Sequence, residues 1–169
     1  AGPADPSIPD LMPLLDVATF NQYFYTLETE ESCTYNGVAL PLYRADTADN
    51  VGSYLDTLID AADGKLINIQ EMGQATGWDD QPETLGPHAS LENQRAVIAA
   101  LRTALDARRE HFRTVCIWQL NDNTREGVEW CANILVTEGF PQCYADNIGE
   151  IFGPAGLVRR DASATPKPA

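Results

Sequence analysis

The stretch Lys65-Leu66-Ile67-Asn68-Ile69-Gln70-Glu71-Met72-Gly73 decides the fold class of this chain. It is an apolar, strand-like run that ends abruptly in a carboxylate, Glu71, followed by a glycine. In barrels of alternating strands and helices the C-terminal ends of the strands form the active-site face, so an acid at this point is typical of a catalytic group. The alternative is an ordinary surface acid that closes a strand.

Two further apolar runs end in the same way. Leu15 to Tyr23 contains Asn21 near its end, and Thr114 to Leu120 is followed by Asn121-Asp122-Asn123. A helical pattern lies between each pair of runs, because apolar residues recur at i, i+3, i+4 and i+7. We expect these helices to cover Asp49 to Asp63 and Ser90 to His111.

The order strand, helix, strand, helix, strand predicts an α/β fold with parallel strands, since parallel neighbours need a long crossover connection. Side chains of equal parity share one face of a strand. Asn21 and Tyr23 should therefore point the same way, as should Ile69 and Glu71. Cys116 and Trp118 form the third such pair, with Cys116 facing a core, and a pocket that collects Asn21, Tyr23, Glu71 and Trp118 is the expected result.

Five segments, in order, resemble the C-terminal part of the retaining glycoside hydrolases of clan A, which are (β/α)8 barrels. The first three are similar to their sixth strand, their seventh strand and the start of the helix that follows. The last two resemble their eighth strand and the stretch before their final helix. The segments are Leu15-Asp16-Val17…Asn21-Gln22-Tyr23, Ile67 to Gly73, Ser90 to Gln94, Ile117 to Asp122, and Phe152-Gly153…Gly156-Leu157-Val158…Lys167-Pro168-Ala169.

The resemblance implies a role for each of the candidate residues. Glu71 stands where the family has its nucleophile, and Trp118 where it has the floor of a sugar subsite. Asn21 and Tyr23 are then substrate-binding residues.

The resemblance also implies a domain organisation. A full barrel takes about 250 residues, and this chain has 169. We therefore expect a single partial barrel domain over 1–169, made of the last three βα units without the final helix. Residues 1–10 form a leader or linker, compatible with a processed end or an arbitrary cut, and 160–169 form a tail.

The acid/base of the family, an Asn-Glu pair at the end of strand four, has no counterpart here. Glu28, Glu30 and Glu31 fall in the loop expected after the first strand, and we interpret them as a solvated acidic run. The chain is then the nucleophile-bearing part of a retaining glycoside hydrolase that is inactive alone. The alternative is a non-catalytic relative used for carbohydrate binding or for extracellular or surface structure.

Charge and composition exclude several classes of partner. The formal net charge of −14 argues against nucleic acid, whose phosphates require clustered Lys and Arg. No apolar run is long enough to span a membrane. With two histidines and without paired Cys-x-x-Cys spacing we expect no metal site, and we expect no cofactor.

Two features leave alternatives open. Trp78, in the long loop from Gly73 to Ser90, either stacks on a saccharide or packs the loop down. Cys131 and Cys143 either form a disulfide in a secreted or cell-surface protein, which the resemblance favours, or remain reduced thiols in an intracellular one.

The outer strands of a three-stranded sheet leave two open edges, which predicts a partner. We expect the N-terminal part of the barrel or a second copy of the chain. Val17, Ile69 and Cys116 would be buried only by that closure.

Overall fold

The structure, a computed structural model, describes residues 12–77, 85–117 and 124–152. Short 3-10 turns lie at Met12–Leu14 and Ala48–Asn50. The strands are β1 (Ala18–Tyr23), β2 (Tyr25–Tyr35), β3 (Val38–Ala45), β4 (Ile67–Gly73) and β5 (Phe112–Ile117). The helices are α1 (Val51–Ala61), α2 (Leu91–Asp106), α3 (Arg125–Thr137) and α4 (Gln142–Phe152).

These elements fall into two compact units. The first takes the described residues of 1–24, 47–73 and 96–118, and the second takes those of 25–46, 74–95 and 119–169. The expected leader, 1–10, and the expected tail, 160–169, lie outside the described residues. Among the described helices none is long and apolar enough to cross a membrane.

The first unit is built on a parallel sheet of three strands in the order β1-β4-β5. The α/β class and the parallel pairing expected from the sequence are therefore confirmed. Both expected helices are present but shorter than the expected ranges, Asp49 to Asp63 and Ser90 to His111. Asp63 and Gly64 adopt positive φ after α1, and backbone turns follow α2, so neither helix continues.

One face of this sheet is covered by helices α1 and α2. The residues that meet in this core are 3 % exposed or less, and they come from strands (Ala18, Phe20, Ile67, Ile69, Met72) and helices (Val51, Leu55, Leu58, Val97, Leu101). Burying a single large aliphatic side chain stabilises a fold by about 1.5–3 kcal/mol. The expectation that Ile69 needs a partner chain for its burial is wrong, because the helices of this chain already cover it.

The opposite face of the sheet is polar and open to water. Thr19 and Asn21 of β1 and Thr114 and Cys116 of β5 are exposed on it. Cys116 therefore does not face a core, in contrast to the expectation from its apolar surroundings in the sequence. A face of hydroxyl and amide groups needs no apolar cover in order to remain in water.

A β-bulge in β4 overturns the expectation that Ile69 and Glu71 share a face. Phe20 pairs with Ile69, and the next residue, Asn21, pairs with Glu71, so Gln70 is an extra residue in β4. Ile69 consequently lies in the helix-covered core, while Glu71 lies opposite the exposed Asn21. Simple alternation fails because a bulge shifts the phase of every residue beyond it.

The second unit contains an antiparallel hairpin, β2-β3, where the acidic run of the sequence predicts a loop. Tyr35 pairs with Val38 across the turn residues Asn36 and Gly37, both at positive φ. An Asn-Gly turn is a strong hairpin signal, and it marks this hairpin in the sequence.

The acidic run lies on β2 instead of in a loop. Glu28 and Glu30 both form ion pairs with Arg44 of β3. These carboxylates flank the guanidinium across the hairpin, but Glu28 and Glu31 are exposed, so the run is largely solvated as expected. Its position on a strand reflects pairing with β3, which local charge does not reveal.

The disulfide joins Cys33 of β2 to Cys143 of α4, with a Cα–Cα distance of 5.9 Å. The expected pairing of Cys131 with Cys143 is therefore wrong. Cys131 is an exposed free cysteine on α3. The disulfide ties the hairpin to α4 across 110 residues of chain.

Candidate functional site

Glu71 lies at the C-terminal end of β4, the middle strand of the parallel sheet, and its side chain is half-buried. The phenol of Tyr23, at the end of β1, donates a hydrogen bond of 2.5 Å to Oε2 of Glu71. Residues 48 positions apart in the sequence thus meet because parallel neighbours end at the same edge of the sheet. The structure brings these two predicted site residues together.

Asn21 belongs to the same open face. It is the pairing partner of Glu71 across β1 and β4, and its side chain is exposed. Tyr23 pairs with Gly73, two residues further along, and reaches diagonally to the carboxylate. A glycine opposite the tyrosine leaves its ring free to lie across the sheet toward Glu71.

The two predicted tryptophans, Trp78 and Trp118, lie outside the described residues. The last described residue of β5 is Ile117. On the β5 side of Glu71, Val115 pairs with Ile69 and Ile117 pairs with Met72, which leaves Cys116 opposite the bulge. Cys116 thus places an exposed thiol on the β5 side of the carboxylate.

A contact between a hydroxyl and an amide also links two strands on the open face. The hydroxyl of Thr114 donates to Oδ1 of Asn68 at 2.9 Å, which links β5 to β4. Within the three described strands of this sheet, Glu71 is the only carboxylate. The arrangement can therefore present one oriented carboxylate as a nucleophile or hydrogen-bond acceptor.

The segment after β4 belongs to the second unit, and it is anchored by a buried phenol. The backbone N–H of Ala75 donates to the phenol oxygen of Tyr25 at 2.8 Å. Burial raises the pKa of Tyr25, and the hydrogen bond from Ala75 offsets only part of that effect. Tyr25 therefore remains neutral at ordinary pH and holds the chain just beyond the strand.

The sequence predicts no role in the site for Gln70 or Gln74, which both lie near Glu71 in the chain. Gln70 is the exposed bulge residue. Gln74 is 1 % exposed, and neither atom of its side-chain amide has a hydrogen-bond partner among the described residues, although its backbone carbonyl accepts from Gln94. The spacing of the apolar residues Ile67, Ile69 and Met72 departs from strict alternation and could have revealed the bulge at Gln70. No sequence signal marks Gln74.

Within the described ranges, no group of three or more His, Cys, Asp or Glu side chains could hold a metal ion. The described candidate residues of the open face are an amide, a phenol and one carboxylate. This donor set suits a neutral, hydroxyl-rich ligand.

No protein-family model matches the chain, and no curated protein matches it. Among solved structures, the chain is similar to a glycoside hydrolase family 17 β-1,3-glucanosyltransferase from Rhizomucor miehei, at 16% identity and a TM-score of 0.48. It is also similar to an active-site mutant of the Rhizomucor miehei β-1,3-glucanosyltransferase in complex with laminaritriose, at 16% identity and a TM-score of 0.45. Each similarity covers 94% of this chain and 43% of the other, so the chain spans less than half the length of these structures.

Proposed function

We propose that this chain is the nucleophile-bearing part of a retaining glycoside hydrolase that acts on a saccharide. Glu71 is the nucleophile, and Asn21, Tyr23, Trp118 and Trp78 are the saccharide-binding residues. The described sheet then forms part of a (β/α)8 barrel, as its last three βα units.

The observation that carries this proposal is the hydrogen bond from Tyr23 to Glu71 at the C-terminal edge of the sheet. A nucleophilic carboxylate must present one oxygen to the anomeric carbon in a fixed direction. A phenol that holds Oε2 fixes the carboxyl plane and leaves Oε1 for attack. Asn21, opposite Glu71, adds an amide that can both donate to and accept from a sugar hydroxyl.

The acid/base carboxyl belongs to a partner in this proposal. In a retaining enzyme the two carboxyl groups lie about 5–5.5 Å apart, and one of them protonates the leaving group. β1 and β5 are the outer strands of the described sheet, and an outer strand offers unpaired backbone groups for strand addition. The N-terminal part of the barrel, or a second copy of the chain, supplies that pairing and with it the acid/base.

We place the protein outside the cell or at its surface. The Cys33–Cys143 disulfide supports this location, because disulfides persist in oxidising compartments and are rare in the cytosol. The net charge of −14 suits a soluble surface that does not bind nucleic acid.

The experiment uses a reagent that needs no acid catalyst. With a 2,4-dinitrophenyl 2-deoxy-2-fluoro-β-glycoside, an oxygen of Glu71 bonds to the anomeric carbon and the bond from that carbon to the phenolic oxygen breaks. The dinitrophenolate leaves with the electron pair, and no proton is transferred. We expect mass spectrometry of the intact chain, tested with gluco, galacto, manno and xylo derivatives, to detect one covalent fluoroglycosyl group, located by peptide mapping on Glu71.

Three variants sharpen the result. Glu71→Gln should abolish labelling, and Tyr23→Phe should slow it about tenfold, because the carboxylate loses a charge-assisted hydrogen bond. Glu92→Gln, at an exposed acid in the first turn of α2, is the matched control and should label like the unchanged chain. Ordinary alkyl glycosides should not turn over, since the loss of acid–base help is commonly worth 10²–10⁴-fold, roughly. Labelling on another acid, or none with any sugar, would refute the proposal.

A second candidate function is non-catalytic saccharide binding. It is favoured by the observation that Glu71 is the only carboxylate in the described strands of the sheet. Cys116 can report saccharide binding, because its thiol lies on the open face opposite Glu71. In a Cys131→Ser background, a bound neutral oligosaccharide should slow the reaction of Cys116 with a thiol reagent. Protection without covalent trapping of Glu71 would favour this second function.

A further inference from the structure

We infer that Gln70 is a second ligand-contacting residue beside Glu71, and that the bulge in β4 serves to place both side chains on the open face at one register position. The inference rests on the proposed function, which it deepens by adding a residue to the saccharide site. Without the bulge, two adjacent residues of a strand point to opposite faces.

The bulge is visible from both neighbouring strands. On the β1 side, the consecutive residues Phe20 and Asn21 pair with Ile69 and Glu71. On the β5 side, only Cys116 separates the partners of Ile69 and Met72. The same single residue is therefore in excess against both neighbours, which locates the irregularity in β4 itself.

The burial of the β4 side chains places the bulge at the same position as the strand pairing does. Ile67, Ile69 and Met72 are all 0% exposed in the core under the helices. The spacing of the first two fits strict alternation, but the step from Ile69 to Met72 contains one residue too many. Gln70 is exposed and Glu71 is half-buried, so both occupy the open side of this step.

The position of the bulge argues for a function. β4 is the middle strand of the described sheet, and a bulge there disrupts pairing with two neighbours at once. Bulges occur mainly at sheet edges and next to active sites, where they re-aim a side chain. This bulge lies directly before the carboxylate that Tyr23 holds.

The chemistry of the pair fits a neutral polyol. A carboxylate accepts hydrogen bonds only, whereas a neighbouring amide both donates and accepts. Vicinal sugar hydroxyls need both kinds of partner within one site. Gln70 therefore binds a hydroxyl on carbon 3 or 4 of the sugar whose anomeric carbon Glu71 attacks.

The first experiment does not depend on activity. Deletion of Gln70 brings Ile67, Ile69 and Met72 into strict alternation and leaves Glu71 opposite Asn21. We expect the deletion variant to fold with a melting temperature equal to or above that of the unchanged chain, as removal of a functional irregularity often does. A melting temperature lower by more than about 10 °C, or failure to fold, would show that the bulge serves the fold and would overturn the inference.

The second experiment measures inactivation kinetics with the 2,4-dinitrophenyl 2-deoxy-2-fluoro-β-glycoside described above. Gln70→Ala should raise the inactivation constant KI about three- to tenfold, the effect of one lost hydrogen bond, with an unchanged melting temperature. Gln142→Ala, at an exposed glutamine of α4, is the matched control and should leave KI unchanged. Labelling of the unchanged chain with an unaltered KI in Gln70→Ala overturns only this inference. Absence of labelling in the unchanged chain overturns the proposed function and this inference with it.

Discussion

Reduction of the Cys33–Cys143 disulfide should lower the free energy of unfolding by an amount that the length of the closed loop determines. The bond closes a separation of 110 residues, and the loss of unfolded-chain entropy for such a loop stabilises the native state by about 4.8 kcal/mol. The pairing expected from the sequence, Cys131 with Cys143, closes only 12 residues and would stabilise by about 2.8 kcal/mol. The stabilisation expected from unfolded-chain entropy thus differs by about 2 kcal/mol between the two disulfide pairings.

The assay compares oxidised and reduced protein of identical sequence, so that no side-chain packing changes between the two samples. We expect reduction to lower the melting temperature by roughly 10–20 °C. Cys131→Ser, at an exposed free thiol, is the control and should change stability by no more than about 0.5 kcal/mol. Peptide mapping after alkylation without reduction should recover Cys33 linked to Cys143.

A mapped Cys131–Cys143 bridge, or equal stability of the oxidised and reduced samples, would contradict this prediction. A bridge from Cys131 would also separate the hairpin from α4, which the observed Cys33–Cys143 bond joins.

Three further predictions concern single groups. Arg108 donates a hydrogen bond to Asp56, which lowers the pKa of Asp56 in the folded protein. The stabilisation from this pair is fully present above the pKa of Asp56 in the unfolded chain, and it is lost as pH falls through the pKa of Asp56 in the folded protein. The melting temperatures of Asp56→Asn and the unchanged chain should therefore converge in acid. Tyr25→Phe removes the acceptor of the buried N–H of Ala75, and it should lower the free energy of unfolding in urea by about 1–3 kcal/mol. Gln74→Met removes a buried amide that has no hydrogen-bond partner among the described residues, and it should raise the free energy of unfolding by about 1–3 kcal/mol in the same titration.

Much of the first unit could be predicted from local patterns. The apolar stripe of α1 is local, because residues three and four apart share one face of a helix. The end of β4 at Glu71 and Gly73 is visible as the point where an apolar run stops. The parallel pairing of β1, β4 and β5 follows from the helical patterns between them, since such connections exclude a tight hairpin.

Local sequence patterns are enough to predict the α/β class, the approximate places of the helices and a carboxylate at the end of a strand. The face that Glu71 occupies, its contact with Tyr23 and the pairing of Cys33 with Cys143 depend on the three-dimensional arrangement. Periodicity acts over a few residues, whereas strand register and disulfide pairing depend on groups that are distant in the chain. The bulge at Gln70 lies between these two cases, because the apolar phase of β4 implies it, but the neighbouring strands fix its position.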